Sequence, residues 1–182
     1  MKNVIHIYGA SGSGTTTLGR KICQELGYKL MDTDDYFWLP TNPKFIKKRP
    51  ISERVELMKK DVYSCENAVI SGSLAGWGDE LIPYFTLAVR IQLDTSVRIE
   101  RLIKREKERF GSRIEKGGDM YEQHVKFIKW AKDYDKGDVN MRSKVRHDEW
   151  EKLLPCKIIY VNGEDLLCEN FKKVKQAIEN NK

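Results

Sequence analysis

Long hydrophobic runs are missing from this 182-residue chain. Its longest uninterrupted apolar stretches are four residues, Tyr36–Leu39 and Ile158–Val161. A membrane-crossing helix needs about 20 apolar residues, so no such helix and no membrane partner is expected. Cysteine is sparse: the four thiols, at positions 23, 65, 156 and 168, form no Cys-x-x-Cys pair and have no histidine nearby at ligand spacing. That excludes a zinc knuckle and argues against a disulfide framework, and it fits reduced thiols in a cytoplasmic protein. Met1-Lys2-Asn3 leads straight into the strand-like Val4-Ile5-His6-Ile7-Tyr8, so no signal peptide is expected. Single-sign charge is lacking too. Lys and Arg number 33 against 27 Asp and Glu, a net charge of +6, with the two signs interleaved along most helical stretches. A solvated surface accounts for most of that excess, and a phosphorylated ligand for the rest.

The chain does contain short apolar strands alternating with amphipathic helices. Strand-like segments stand at Val4–Tyr8, Tyr28–Met31, Ala68–Ile70, Leu87–Leu93 and Lys157–Val161. Between them, Leu18, Ile22 and Leu26 recur at helical spacing up to Gly27, and Ile51, Val55, Met58 and Val62 form a second stripe. Further helices are expected from about Thr95, around Met120–Tyr134, over Met141–Leu154 and over Leu167–Ile178. Residues 32 to 50, rich in proline and basic side chains, read as a loop. This alternation predicts one α/β domain over residues 1–182, with a five-stranded, mostly parallel sheet covered by helices on both faces. The polar, glycine-bearing stretch 106–120 reads as a small lid, and residues 32–66 as a region for an acceptor.

One segment carries chemistry in its spacing. Gly9-Ala10-Ser11-Gly12-Ser13-Gly14-Thr15-Thr16-Thr17 follows a strand and opens a helix. Glycines there let successive backbone N–H groups turn inward, and the helix start adds partial positive charge. An ordinary glycine-rich turn is the plainer alternative. The pattern, Gly-x4-Gly-x-Thr between a strand and a helix, resembles the phosphate loop of P-loop kinases of the nucleotide and nucleoside kinase type, such as adenylate kinase and shikimate kinase. The resemblance implies a three-layer P-loop fold, ATP and Mg2+ as cofactors, and phosphate binding by Gly9, Ser11, Gly12, Ser13, Gly14, Thr15, Thr16 and Thr17. The Thr16 hydroxyl stands where such loops hold Mg2+. The chain departs from the pattern at Thr15, where the family has lysine, so the cation for phosphoryl transfer must come from elsewhere.

The same resemblance covers Leu93–Arg105, which looks like the helix leading into the lid of adenylate kinase-like enzymes. It implies Arg101 beside the nucleotide base and Arg105 on the phosphates, with Arg109 and Arg113 carried in by the lid. A solvated face paired with Glu100, Glu106 and Glu108 is the structural alternative. At the end of the second strand, Asp32 and Asp34 match the Asp-x-Asp of shikimate kinase-like enzymes, implying Asp32 on Mg2+ and the acceptor, and Asp34 as base or positioner of an acceptor hydroxyl. A helix cap would use the same residues. The third strand ends in Ser71-Gly72-Ser73, without the usual acidic residue. Arg49 and Arg54 are candidates for an acceptor phosphate, and Trp77, with Tyr36, Phe37 and Trp38, for a pocket wall around a flat ring. Arg142, Arg146 and His147 sit before the fifth strand, from where one arginine could reach the nucleotide. The reading is an ATP-dependent phosphotransferase acting on a small-molecule acceptor, a nucleotide or nucleoside. Two alternatives stay open: a non-catalytic P-loop nucleotide binder, favoured by Thr15 and Ser71, and a nucleic-acid-associated module, suggested only by net charge and supported by no nucleic-acid motif. The sequence does not set the oligomeric state.

Overall fold

The computed structural model describes residues 2–181. Five strands, β1 (Val4–Gly9), β2 (Lys29–Asp32), β3 (Ala68–Ser71), β4 (Leu87–Gln92) and β5 (Lys157–Asn162), form one sheet in the order β2-β3-β1-β4-β5. Every neighbouring pair is parallel. The inner strands β1 and β3 are buried along their whole lengths, as expected where helices cover both faces. The helices are α1 (Thr15–Leu26), α2 (Thr33–Phe37), α3 (Ile51–Ser64), α4 (Thr95–Phe110), α5 (Tyr121–Lys132), α6 (Lys144–Glu151) and α7 (Leu167–Glu179).

Alternation of side chains across β1 divides the core in two. Ile5 and Ile7 pack with Leu18 and Ile22 of α1 and Val174 and Ile178 of α7 on one face. Val4 packs with Met58 and Val62 of α3 and Trp150 of α6 on the other. Each such aliphatic side chain contributes roughly 1.5–3 kcal/mol by leaving water. A third cluster, Ile99 and Leu102 of α4 with Ile128 and Ala131 of α5, holds those two helices together above the sheet. Arg98 fastens the same pair: fully buried, it donates to the carbonyls of Leu93 (3.1 Å) and Ala131 (3.3 Å) and to Asp135 (2.9 Å).

Most expected boundaries shift by a residue or two, and four differences matter for the site. β2 starts at Lys29 and ends on Asp32, one residue later at each end than its apolar pattern indicates. The stretch after it is not wholly a loop, because Asp32 caps the short helix α2 by accepting from the N–H of Asp34 at 3.1 Å. The helix expected over Met141–Leu154 is confined to Lys144–Glu151, since Ser143 caps its start by accepting from the N–H of Arg146. The stretch read as a lid at 106–120 is helical in its first part: α4 runs to Phe110, and a 3-10 turn, Gly111–Ile114, follows. No helix among the described residues is long and apolar enough to cross a membrane. All four cysteines are free thiols.

Candidate active site

The loop between β1 and α1 sits at the carboxyl end of the sheet's central strand, the position where open α/β sheets bind ligands. Gly12 and Gly14 have φ of 84° and 102°, a region that side chains with a Cβ avoid. At Gly12 a Cβ would also lie 2.7 Å from the Arg98 carbonyl oxygen, so the loop runs hard against α4. No side chain caps the start of α1. The first-turn N–H groups of Thr15, Thr16 and Thr17 therefore have no intrahelical acceptor and present a donor cluster with partial positive charge. Within the loop, the hydroxyl of Ser13 is buried and has no partner. The arrangement suits an anion.

Thr16 and Asp32 meet beside that cluster: Thr16 Oγ1 donates to Asp32 Oδ2 at 2.9 Å. The other oxygen of Asp32 caps α2 by accepting from the N–H of Asp34, so the capping reading of this residue is met. Asp34 lies one step further into the cleft. Its side chain reaches solvent through the open mouth, yet protein surrounds it on most other sides. That desolvation pushes its carboxyl above the ordinary value, Asp32 adds to the rise, and Arg142, Arg105 and Arg109 oppose it.

Two cavities meet at the loop. Gly12, Thr15, Thr16 and Arg105 line both of them. The first, of 390 Å³, extends along α4 toward the β5–α7 turn, where both Nη atoms of Arg101 donate to the Gly163 carbonyl at 3.1 Å. The second, of 470 Å³, opens on the β2 side over Asp32 and Asp34. Its walls are aromatic, with Phe37, Trp38, Phe45, Phe110, Phe127 and Trp130. Lys48, Arg105, Arg109, Lys126 and Arg142 add positive charge. Arg109 rests 5.0 Å from the centroid of Phe45, and Arg142 5.4 Å from that of Trp130.

The loop residues from Gly9 to Thr17, together with Asp32, Asp34, Arg101, Arg105 and Arg109, thus line this pair of cavities. Several sequence candidates do not, among them Tyr36, whose hydroxyl donates to Asp61 at 2.6 Å. Arg54 is buried under Phe37, with its guanidinium carbon 3.8 Å from the ring centroid and Nε donating to the Arg49 carbonyl at 2.7 Å. Arg49 donates to the Tyr36 carbonyl at 3.0 Å, and Trp77 to that of Ser73 at 3.1 Å. These three brace the back of the aromatic wall rather than face the cavity. Arg113 is turned outward in a two-bond pair with Asp119, at 2.9 and 2.6 Å. Sequence reasoning missed Lys48, Phe45, Phe127, Trp130 and Lys126. Phe127 and Trp130 are three apart on α5 and share a face, a signal that reads equally well as core. His147 is a packing residue: its ring lies between Ser73 Oγ and the Tyr134 hydroxyl, each at 2.8 Å, and burial pushes its pKa down to about 3.

A five-stranded parallel sheet in this order, with a glycine-rich loop between its first strand and first helix, has the fold of the P-loop kinases. A shikimate kinase from Bacteroides thetaiotaomicron superposes with a TM-score of 0.59 at 16% identity, over 97% of this chain and 98% of that one. A gluconokinase from Sinorhizobium meliloti does so with a TM-score of 0.54 at 19% identity, over 98% and 94%. No protein-family model matches the chain. The uncharacterised protein YqaC of Bacillus subtilis (strain 168) is 39% identical over 181 residues, 100% of either chain, and the present chain belongs to the same family. A cytidylate kinase from Archaeoglobus fulgidus is 32% identical over 113 residues, covering 56% of this chain and 61% of that one.

Proposed function

We propose that this chain is an ATP-dependent phosphotransferase that acts on a small molecule, with a nucleotide or nucleoside as acceptor. One observation carries the reading: a single uncapped helix start is shared by two cavities, and the second of them is aromatic-walled and floored by Asp34. A donor needs the first cavity and an acceptor the second, with the transferred group between them. Six aromatic side chains around one space suit a flat ring. The partial similarity to a cytidylate kinase supports the same class of acceptor.

In this reading the N–H groups of the loop and of Thr15–Thr17 bind the phosphates, and Arg101 lies along the base. Arg105, which lines both cavities, reaches the phosphates from α4. The Thr16 hydroxyl and the Asp32 carboxylate, 2.9 Å apart, would hold Mg2+ through oxygen, the donor type that ion takes. Among the described residues no cluster of three or more His, Cys, Asp or Glu side chains forms a metal cage, so these two are the protein's offer to the ion. ATP supplies the phosphoryl group, and Mg2+ neutralises its charge. Asp34 orients the acceptor hydroxyl and accepts its proton. Catalysis of this kind is mostly positioning and charge stabilisation. We assign the protein to the cytoplasm, where ATP and reduced thiols coexist.

The test is a pair of measurements on the unmodified chain. Calorimetry with ATP and Mg2+ gives binding, and an ADP-release assay is run against nucleosides, nucleoside monophosphates and hydroxylated acids. Binding together with ADP release stimulated by a nucleoside or nucleotide is expected. ATP binding that no acceptor converts to turnover would overturn the kinase in favour of a silent binder.

A further inference from the structure

Thr15 leaves the phosphate loop without a side-chain cation, and the structure holds an arginine whose hydrogen-bonding capacity is nearly unspent. Lys48, Arg105, Arg109 and Lys126 line the acceptor cavity as exposed side chains, whereas Arg142 in the same lining is half-buried. A guanidinium carries five N–H donors. Two arginines buried elsewhere in this fold use theirs: Arg90 pairs with Asp148 at 2.6 Å and Glu151 at 2.9 Å, and Arg98 bonds two carbonyls, a hydroxyl and a carboxylate. A third, Arg54, has one hydrogen bond but is sandwiched against Phe37 and Trp77, away from the loop. Among the described residues, Arg142 has one hydrogen bond, a long one of 3.5 Å from Nη1 to Ser11 Oγ. Ser11 belongs to the phosphate loop itself. A cation enclosed by protein, short of acceptors and aimed at that loop is built for an anion.

Its support is rigid. Ser143, the next residue, is fully buried and donates to the Asp138 carbonyl at 2.5 Å while capping α6. One turn on, His147 is held between Ser73 and Tyr134. Further along, Trp150 donates to Asp79 at 2.7 Å, and Arg90 ties Asp148 and Glu151 to β4. The guanidinium rests on the face of Trp130. A charge fixed in this way needs no reorganisation as the reaction proceeds, which is the condition under which electrostatic stabilisation is largest.

We propose that Arg142 supplies the charge that Thr15 does not, gripping the γ-phosphoryl oxygens of ATP from the acceptor side of the loop. The inference rests on the phosphotransferase reading. In the step it serves, the acceptor oxygen bonds to the γ-phosphorus and the bond from that phosphorus to the β,γ-bridging oxygen breaks. ADP leaves with that electron pair, and the hydroxyl proton passes to Asp34. Arg142 stabilises the equatorial oxygens throughout, whereas Arg105, on the exposed face of α4, serves both cavities.

The deciding experiment compares calorimetric affinities for ADP and for a non-hydrolysable β,γ-imido ATP analogue, with Mg2+, in the unmodified chain and in Arg142→Ala. A charge placed at the γ-position gives a selective effect: analogue affinity falls about 10- to 100-fold, while ADP affinity stays within about twofold. Thr15→Lys added to Arg142→Ala restores the preference for the analogue. An ADP-to-analogue ratio that Arg142→Ala leaves unchanged overturns the proposal, whether both affinities drop together or neither moves. Arg142→Gln, which keeps the stem on Trp130, carries the same comparison if the alanine variant does not fold. If the unmodified chain binds neither nucleotide, the phosphotransferase reading fails; if it binds both and the ratio is unchanged, only the role of Arg142 fails.

Discussion

At the residue scale, Asp34 concentrates the chemistry that can be tested most directly. Its carboxyl is held above the ordinary value of 3.8 by the protein around it and by Asp32, against the pull of Arg142, Arg105 and Arg109. As the proposed base, Asp34 works in its ionised form, so turnover should fall as pH drops through this raised value. Asp34→Asn removes that acidic limb. It should lower kcat by about 10²–10⁴ and leave ATP affinity unchanged or slightly tighter, because one negative charge near the phosphates is gone. A pH–rate profile paired with calorimetry checks both arms, and a variant with full turnover removes Asp34 from the reaction. The aspartate pair was legible in the sequence because it ends a strand beside the loop. The outward turn of Arg113 and the burial of Arg54 were not, because residues distant in sequence decide both: Asp119 draws one away, and Phe37 with Trp77 covers the other.

At the scale of elements, the glycine-rich loop and α4 form one unit, pressed together where Gly12 meets the Arg98 carbonyl. Gly12→Ala puts a Cβ into a left-handed conformation, a cost of about 1–2 kcal/mol, and drives it into α4 as well. ADP should raise the Tm of the unmodified chain, and the variant should melt several degrees lower and lose that rise. Thermal melts with and without ADP check this, and an undiminished ADP shift would mean that the loop is not the anion site. The loop and the strand–helix alternation could be read from local spacing, since short apolar runs and stripes of period 3.6 are written along the chain. The aromatic wall could not. It is assembled from α2, the 45–48 loop, the end of α4, α5 and the loop before α6, and no local pattern tells a side chain that faces a cavity from one that faces the core. α2 escaped notice for a related reason: one cap, Asp32, starts a helix of only five residues.

At the scale of the whole molecule, the fold buries two neutral histidines. His6 is stacked between Tyr8 and Phe85 in the centre of the sheet, and His147 lies behind Ser73, which lines the second cavity. Burial pushes each pKa from 6.5 down to about 3. The unfolded chain therefore binds protons that the folded chain refuses. The stability these groups allow is intact above 6.5 and drains away as pH falls from 6.5 toward 3, each contributing up to about 1.4 kcal/mol per pH unit. Urea unfolding at a series of pH values should show an uptake approaching about two protons near pH 5.5; an uptake below about one would mean that one ring is protonated in the native state. The strand order, the cavities and the buried network under α6 all belong to this scale, where sequence pattern is mute and packing decides. The indoles are also unevenly placed. Of the four tryptophans in the chain, Trp77 and Trp150, whose indoles donate to the Ser73 carbonyl and to Asp79, do not line the cavity, while Trp38 and Trp130 do. Intrinsic emission thus has a steady half and a responsive half, and the protein carries its own optical gauge: an aromatic guest perturbs two of its fluorophores directly, so occupancy can be followed in real time without a label.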